Sequence, residues 1–232
     1  MNSYIDNISF NDDLYLTIRN YIISMELEPG EMFSENTIAA KLNVGRVTVR
    51  EAITRLHDEG YIEVFPQKGT VVTMLDVERI KQAAYAHTVL EQAVIKEIME
   101  RGITESELEL LRDVLEEQQK VMEHSDMLHV MLKEYQIMYH ISAFCGRQYI
   151  WEFFNSMDCD LLRIQYLQHS TFNYQMQTLS SLENMVLESR LLVDNLERGE
   201  EGAAILICSN RYTKAVWQAD VLKSIYPQYF SG

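Results

Sequence analysis

Residues 44–62, Val44-Gly45-Arg46-Val47-Thr48-Val49-Arg50-Glu51-Ala52-Ile53-Thr54-Arg55-Leu56-His57-Asp58-Glu59-Gly60-Tyr61-Ile62, decide the fold. Val49, Ala52, Ile53 and Leu56 recur at i, i+3, i+4 and i+7, which predicts an amphipathic helix that stops at Gly60. The turn Asn43-Val44-Gly45 separates it from a shorter helix, with Ser34 as N-cap and Ile38, Ala39 and Leu42 as its apolar side. Further upstream, Leu14, Ile18, Tyr21, Ile22 and Met25 form the stripe of a helix over about residues 12–25, ended by Glu28-Pro29-Gly30. Downstream, Tyr61–Phe65 reads as a strand, Pro66-Gln67-Lys68-Gly69 as a turn and Thr70–Thr73 as the returning strand. Three helices followed by a β-hairpin make a winged helix-turn-helix, assigned to residues 1–76.

Residues 77–232 hold no proline until Pro227 and little alternating pattern, so they are expected to be helical. Breaks are expected at Arg101–Thr104, His124–Asp126, Cys145–Arg147, near Ser170–Tyr174 and at Arg198–Glu200, giving about six helices. The expected fold class is therefore mainly α: an N-terminal winged helix-turn-helix and a C-terminal all-α bundle.

The formal net charge is -15, which argues against indiscriminate nucleic-acid binding. Between Lys41 and Arg55, however, Lys41, Arg46, Arg50 and Arg55 oppose Glu51 alone. Repulsion from distant carboxylates is screened beyond roughly 8 to 10 Å, so one basic patch on an acidic body can still dock on phosphate. The first thirteen residues lack the basic start of a secretory signal, and no apolar run approaches the roughly 18 residues that span a bilayer, so a cytoplasmic protein with no membrane partner is expected. Cys145, Cys159 and Cys208 are widely spaced and form no CxxC pair, and buried reduced thiols are the expectation. GxSxG, P-loop, GxGxxG and HExxH motifs are missing, so no catalytic residues and no enzyme are expected.

On the third helix Arg46, Val47, Thr48 and Arg50 point away from the apolar stripe. Arg forks guanine N7 and O6 or clamps phosphate, Thr does either, and an exposed Val meets a thymine methyl. The runs Pro29-Gly30-Glu31, Ser34-Glu35, residues 44–62 and Pro66-Gln67-Lys68-Gly69-Thr70 resemble the DNA-binding domain of the GntR family of regulators, over about residues 11–75. The resemblance implies that Arg46 and Arg50 make most of the DNA contacts. Thr48 assists, Ser34 and Asn36 stand at the start of the second helix, and the Lys68-Gly69 wing tip enters the minor groove. The chain departs from the family at Gly45, usually Ser or Thr, and at Asn36, often Arg.

Past residue 77, His87-Thr88-Val89-Leu90-Glu91, Tyr139-His140 with Gly146-Arg147, and Leu196–Glu200 resemble landmarks of the FCD-type ligand domain of the FadR subgroup. That resemblance implies a homodimer on an inverted-repeat double-stranded operator, with a small-molecule effector bound inside the bundle. The effector residues it implies are His87, Gln136, His140, Ser189 and Arg211. Where the subgroup carries an Asp and three His as metal ligands, this chain has Gln136, His140, Ser189 and Arg211, so no metal and no other cofactor is expected. An Arg in place of a cation favours an anionic, carboxylate-type effector. The competing reading is a helical interaction or effector-binding module with weakened DNA binding.

Overall fold

The computed structural model describes residues 14–155, 158–172 and 180–232. The expected start of the first helix at residue 12, the reading of the first thirteen residues and part of the break expected at 170–174 lie outside them.

Helix α1 spans Leu14–Ile23 and buries Tyr15, Ile18, Arg19, Ile22 and Ile23; of the expected stripe Ile18 and Ile22 are fully buried, while Leu14, Tyr21 and Met25 are only partly so. The chain leaves it through Met25, which takes a left-handed φ of 61°. Helix α2, Glu35–Leu42, begins where the Ser34 side chain accepts from the Thr37 N–H, and it ends on Asn43 in the left-handed region. Of its expected apolar face only Ile38 is fully buried. Helix α3, Arg46–Asp58, buries Val49, Ala52, Ile53 and Leu56 as the periodicity required.

The sheet is larger than the expected hairpin. Strand β1 (Met32–Phe33) joins β2 (Ile62–Phe65) and β3 (Gly69–Val72) in the order β1-β3-β2, with Phe33 opposite Thr70 and Phe65 opposite Gly69. A two-residue strand carries no readable alternation. It forms because the outer edge of β3 offers N–H and C=O groups that need partners.

The remainder is helical: α4 (Val77–Arg101), α5 (Glu105–Glu123), α6 (Met127–Phe144), α7 (Gln148–Asn155), α8 (Cys159–Thr171), α9 (Ser181–Arg198) and α10 (Glu201–Ile225). That is seven helices among the described residues instead of about six. Capping boxes at Thr104/Glu107 and Ser180/Glu183 start α5 and α9, and left-handed Gly199 ends α9. The division between α7 and α8 has no glycine or proline to announce it. It is secured by tertiary packing, with Trp151 of α7 fully buried and α8 buried on nearly every side.

The apolar core does not stop at residue 76. Buried side chains of α1 and α3 fall in one continuous cluster with those of α5, α6 and α9. A second cluster gathers Leu75, Ile80, Leu161, Tyr212, Leu222 and Phe230 around α4, α8 and α10. The C-terminal tail closes over the connection: Leu75 donates to the Tyr229 carbonyl at 2.8 Å, and Ser231 donates back to the Leu75 carbonyl at 2.9 Å.

Candidate nucleic-acid interface and buried polar cluster

Gly45 caps α3 without a side-chain hydrogen bond, and beyond it Arg46, Val47, Thr48 and Arg50 are all exposed, Val47 to 74%. Arg50 does not project freely. It forks onto Glu35 of α2, Nε to Oε1 at 3.2 Å and Nη2 to Oε2 at 3.0 Å. The hydrogen bonds from Arg50 hold the Glu35 carboxyl below its usual pKa range, with Arg46 adding to the effect. One edge of the guanidinium is thus occupied while the other faces outward, an orientation suited to a single phosphate or base edge.

Ser34 is engaged in capping, its Oγ 3.1 Å from the Thr37 N–H and 2.7 Å from the Thr37 hydroxyl, and Asn36 is exposed in the first turn of α2. The wing tip turns at Pro66-Gln67, closed by Lys68 N–H to the Phe65 carbonyl at 3.0 Å. Gln67 takes φ 64°, the positive value that the third residue of a type II turn needs. Lys68 is exposed and Gly69 follows at φ 123°, where an added Cβ would stand 3.1 Å from the Phe33 carbonyl. The wing tip is therefore packed beside the residue preceding Ser34, while Glu35 ties α2 to Arg50. The fold brings the α2 start, the α3 start and the wing together.

Gly69→Ala is accordingly expected to destabilise the protein by about 1 to 3 kcal/mol, since it combines a strained positive φ with a tight approach to the Phe33 carbonyl. Chemical denaturation checks this; a loss under about 0.5 kcal/mol would mean that the wing relaxes freely.

Inside the bundle a buried polar cluster lies between α4, α6, α8 and α10. His87 Nε2 sits 2.7 Å from Asp158 Oδ2, with Glu91 at 3.9 Å from Nδ1. The His87 ring is framed by Trp151, Tyr135 and Tyr212 at centroid distances of 5.2 to 6.2 Å. Burial alone would lower the imidazole, but Asp158 and Glu91 outweigh it and its pKa is raised. Tyr212 donates to Glu91 Oε1. Arg211, only 8% exposed, directs Nε and Nη1 into the interior with no hydrogen-bond partner. Glu134 is 3% exposed, and burial pushes its carboxyl up to about 7 against the pull of Arg211.

The expected effector residues divide. His87 and Arg211 lie in this cluster. Gln136 and His140 do not: α6 turns Glu134 and Met138 toward α10, and at about 100° per residue Gln136 and His140 stand roughly 200° and 240° around from Glu134. Gln136 accepts from Lys133 at 2.9 Å, and His140 stacks on Phe144. Ser189 accepts from Gln118 at 3.1 Å. Landmark spacing thus points to a different side of α6 from the one that faces this cluster. Glu134, Asp158 and Tyr212 were not anticipated. Glu91 was readable, one turn from His87. A metal does not fit the Gln136, His140, Ser189 and Arg211 positions: one is a guanidinium, and among the described residues no three His, Cys, Asp or Glu side chains group as ligands.

Helix α8 connects this cluster to the winged helix. Asp158 stands at its N-cap but makes no cap hydrogen bond, because its carboxylate turns to His87. One turn later, fully buried Arg163 donates to the Thr73 carbonyl at 2.6 Å, to Thr73 Oγ1 at 3.1 Å, to the Cys159 carbonyl at 3.0 Å and to Asp160. Cys159 Sγ lies 3.6 Å from the Gly60 carbonyl and 3.2 Å from Arg79.

An exposed helix beside a wing, carried on a helical bundle, is the architecture of a winged-helix DNA-binding regulator. Residues 10–72 match the model of the family described as bacterial regulatory proteins, gntR family. The chain belongs to the GntR family of transcription regulators. It is 30% identical over 118 residues to an HTH-type transcriptional regulator of Agrobacterium vitis, covering 49% of this chain and 67% of that one. It is 38% identical over 79 residues to a regulator of Streptomyces ambofaciens, about one third of the length of each. The fold resembles that of E. coli McbR/YncC, with a TM-score of 0.70 at 16% identity over 91% of this chain and 96% of the other. These relatives are transcription regulators, not enzymes. Among the described residues no helix is long and apolar enough to cross a membrane.

Proposed function

We propose that this regulator acts in the cytoplasm as a homodimer that reads an inverted-repeat operator. Each copy applies Arg46, Val47, Thr48 and Arg50 to the major groove, Lys68 and Gly69 to the minor groove, and Ser34 and Asn36 to the backbone. Residues 1–76 serve as the reading domain, and residues 77–232 as an FCD-type domain that binds a carboxylate-bearing effector and dimerises. The observation that carries the effector reading is Arg211: a buried guanidinium with unpartnered Nε and Nη1 costs far more than an apolar side chain of the same size. A ligand anion would relieve that cost. Dimerisation is favoured because one winged helix with few cations supplies too little affinity for a specific site.

In vitro selection from a random duplex library tests both halves. An enriched inverted repeat, bound by two copies with affinity that falls steeply with salt, is the expected result. No enrichment at any salt would favour a bundle that has kept only a weakened reading domain.

A further inference from the structure

The buried cluster specifies more about its ligand than a carboxylate. Arg211 faces two carboxylates, those of Glu134 and Glu91, yet it forms no ion pair or hydrogen bond with either. Glu91 leaves Oε2 without a partner although Tyr212 occupies its other oxygen, and the carboxyl of Glu134 is buried in the same cluster. Opposite charges share one buried space without closing on each other. Donors and acceptors unmade in a low-dielectric interior are each costly, and here both kinds are present within one cluster.

The unmade groups then select the ligand class. His87 and Asp158 pair at 2.7 Å, which leaves the Arg211 guanidinium facing the carboxyl groups of Glu91 and Glu134, both pushed by burial toward the neutral form. A ligand that is only an anion would satisfy Arg211 but bring a further acceptor group beside Glu91 Oε2 and leave that oxygen unmade. A ligand that is only a cation would satisfy the carboxylates and leave the guanidinium N–H groups unmade. A molecule carrying both charges completes both sets of hydrogen bonds and adds no net charge to a buried site.

We propose that the effector of this cluster is a small zwitterion of the α-amino-acid class, its carboxylate on Arg211 Nε and Nη1 and its ammonium between Glu134 and Glu91 Oε2. This rests on the reading of the bundle as an effector domain and narrows it. The aromatic rings of Trp151, Tyr135 and Tyr212 supply the apolar wall against which a side chain packs, and the ring faces add attraction for an ammonium.

The test is calorimetric titration of the full-length protein with the common L-amino acids, and with carboxylic acids of the same carbon skeletons lacking the amine. At least one amino acid is expected to bind, and its deaminated counterpart about tenfold or more weaker. Arg211→Gln should abolish binding. Glu134→Gln, which keeps size and fold, should reduce the preference for the amine by about tenfold while retaining the carboxylate contact. Equal binding of acids with and without the amine, or a preference unchanged in Glu134→Gln, would overturn the zwitterion while leaving an effector site. If no amino acid binds, the proposal falls. Operator affinity then decides the wider reading, which falls as well if it is unchanged in Arg211→Gln.

Discussion

Operator binding weakens roughly 5- to 150-fold when either Arg46 or Arg50 is replaced by alanine, the range expected for loss of a bidentate contact to guanine. Both side chains are exposed at the start of α3, so neither replacement opens a cavity, and both variants should melt with the wild type. The two are not equivalent. Arg46 makes no fixed contact that competes with DNA, whereas Arg50 is forked onto Glu35 with one edge committed. Arg50→Ala also releases Glu35, an unpaired carboxylate beside the phosphate track, so the losses should be larger for Arg50 and partly recovered in the Arg50→Ala, Glu35→Gln double variant. Anisotropy titrations at two salt concentrations separate the roles: a phosphate contact lowers the salt slope by about one, and a base contact relaxes sequence preference instead. Wild-type affinity in both single variants would show that α3 is not the reader.

Arg163→Leu is expected to lower stability by about 3 to 5 kcal/mol, because it breaks a buried charged network while leaving its other members in place. Thr73 loses a partner on its carbonyl and another on its hydroxyl, and Asp160, 1% exposed, is left to Arg79 alone, whose Nε lies 3.2 Å away. For a chain of this size about 2 to 4 °C of melting temperature corresponds to each kcal/mol, so the transition should fall by roughly 6 to 20 °C. Arg163→Lys keeps the charge without the planar fork and should fall between. The same side chain joins α8 to the strand end leaving the wing. The leucine variant should therefore also separate melting of the winged helix from melting of the bundle in a calorimetric scan. A drop under about 1 kcal/mol would place the strength of this junction elsewhere, in the Leu75–Phe230 strap or the shared apolar core.

The elements that could be read from the chain were those whose signals are local. Val49, Ala52, Ile53 and Leu56 repeat at helical spacing, and Ser34 and Thr104 cap from within three residues. Gly60 and Gly199 take positive φ where a side chain would be strained. The α3 face that points away from its stripe follows from the same periodicity. Strand β1 could not be read, because two residues have no pattern and their pairing partner lies some forty positions away. The buried polar cluster could not be read for a related reason: every turn of α6 offers polar residues, and only its packing against α10 turns Glu134 inward and leaves Gln136 and His140 outside the cluster.

By itself, then, the sequence determined a winged helix followed by further helices, since period, caps and glycine stops act within one or two turns of the chain. Tertiary structure alone decided that Arg50 is held by Glu35, fifteen residues upstream, and that Arg163 reaches Thr73 across ninety. It alone also decided that Arg211 Nε and Nη1 and Glu91 Oε2, from two helices, lie buried without hydrogen-bond partners. Such contacts depend on the rotation and depth of whole helices against one another, which many side chains set together and no local spacing records.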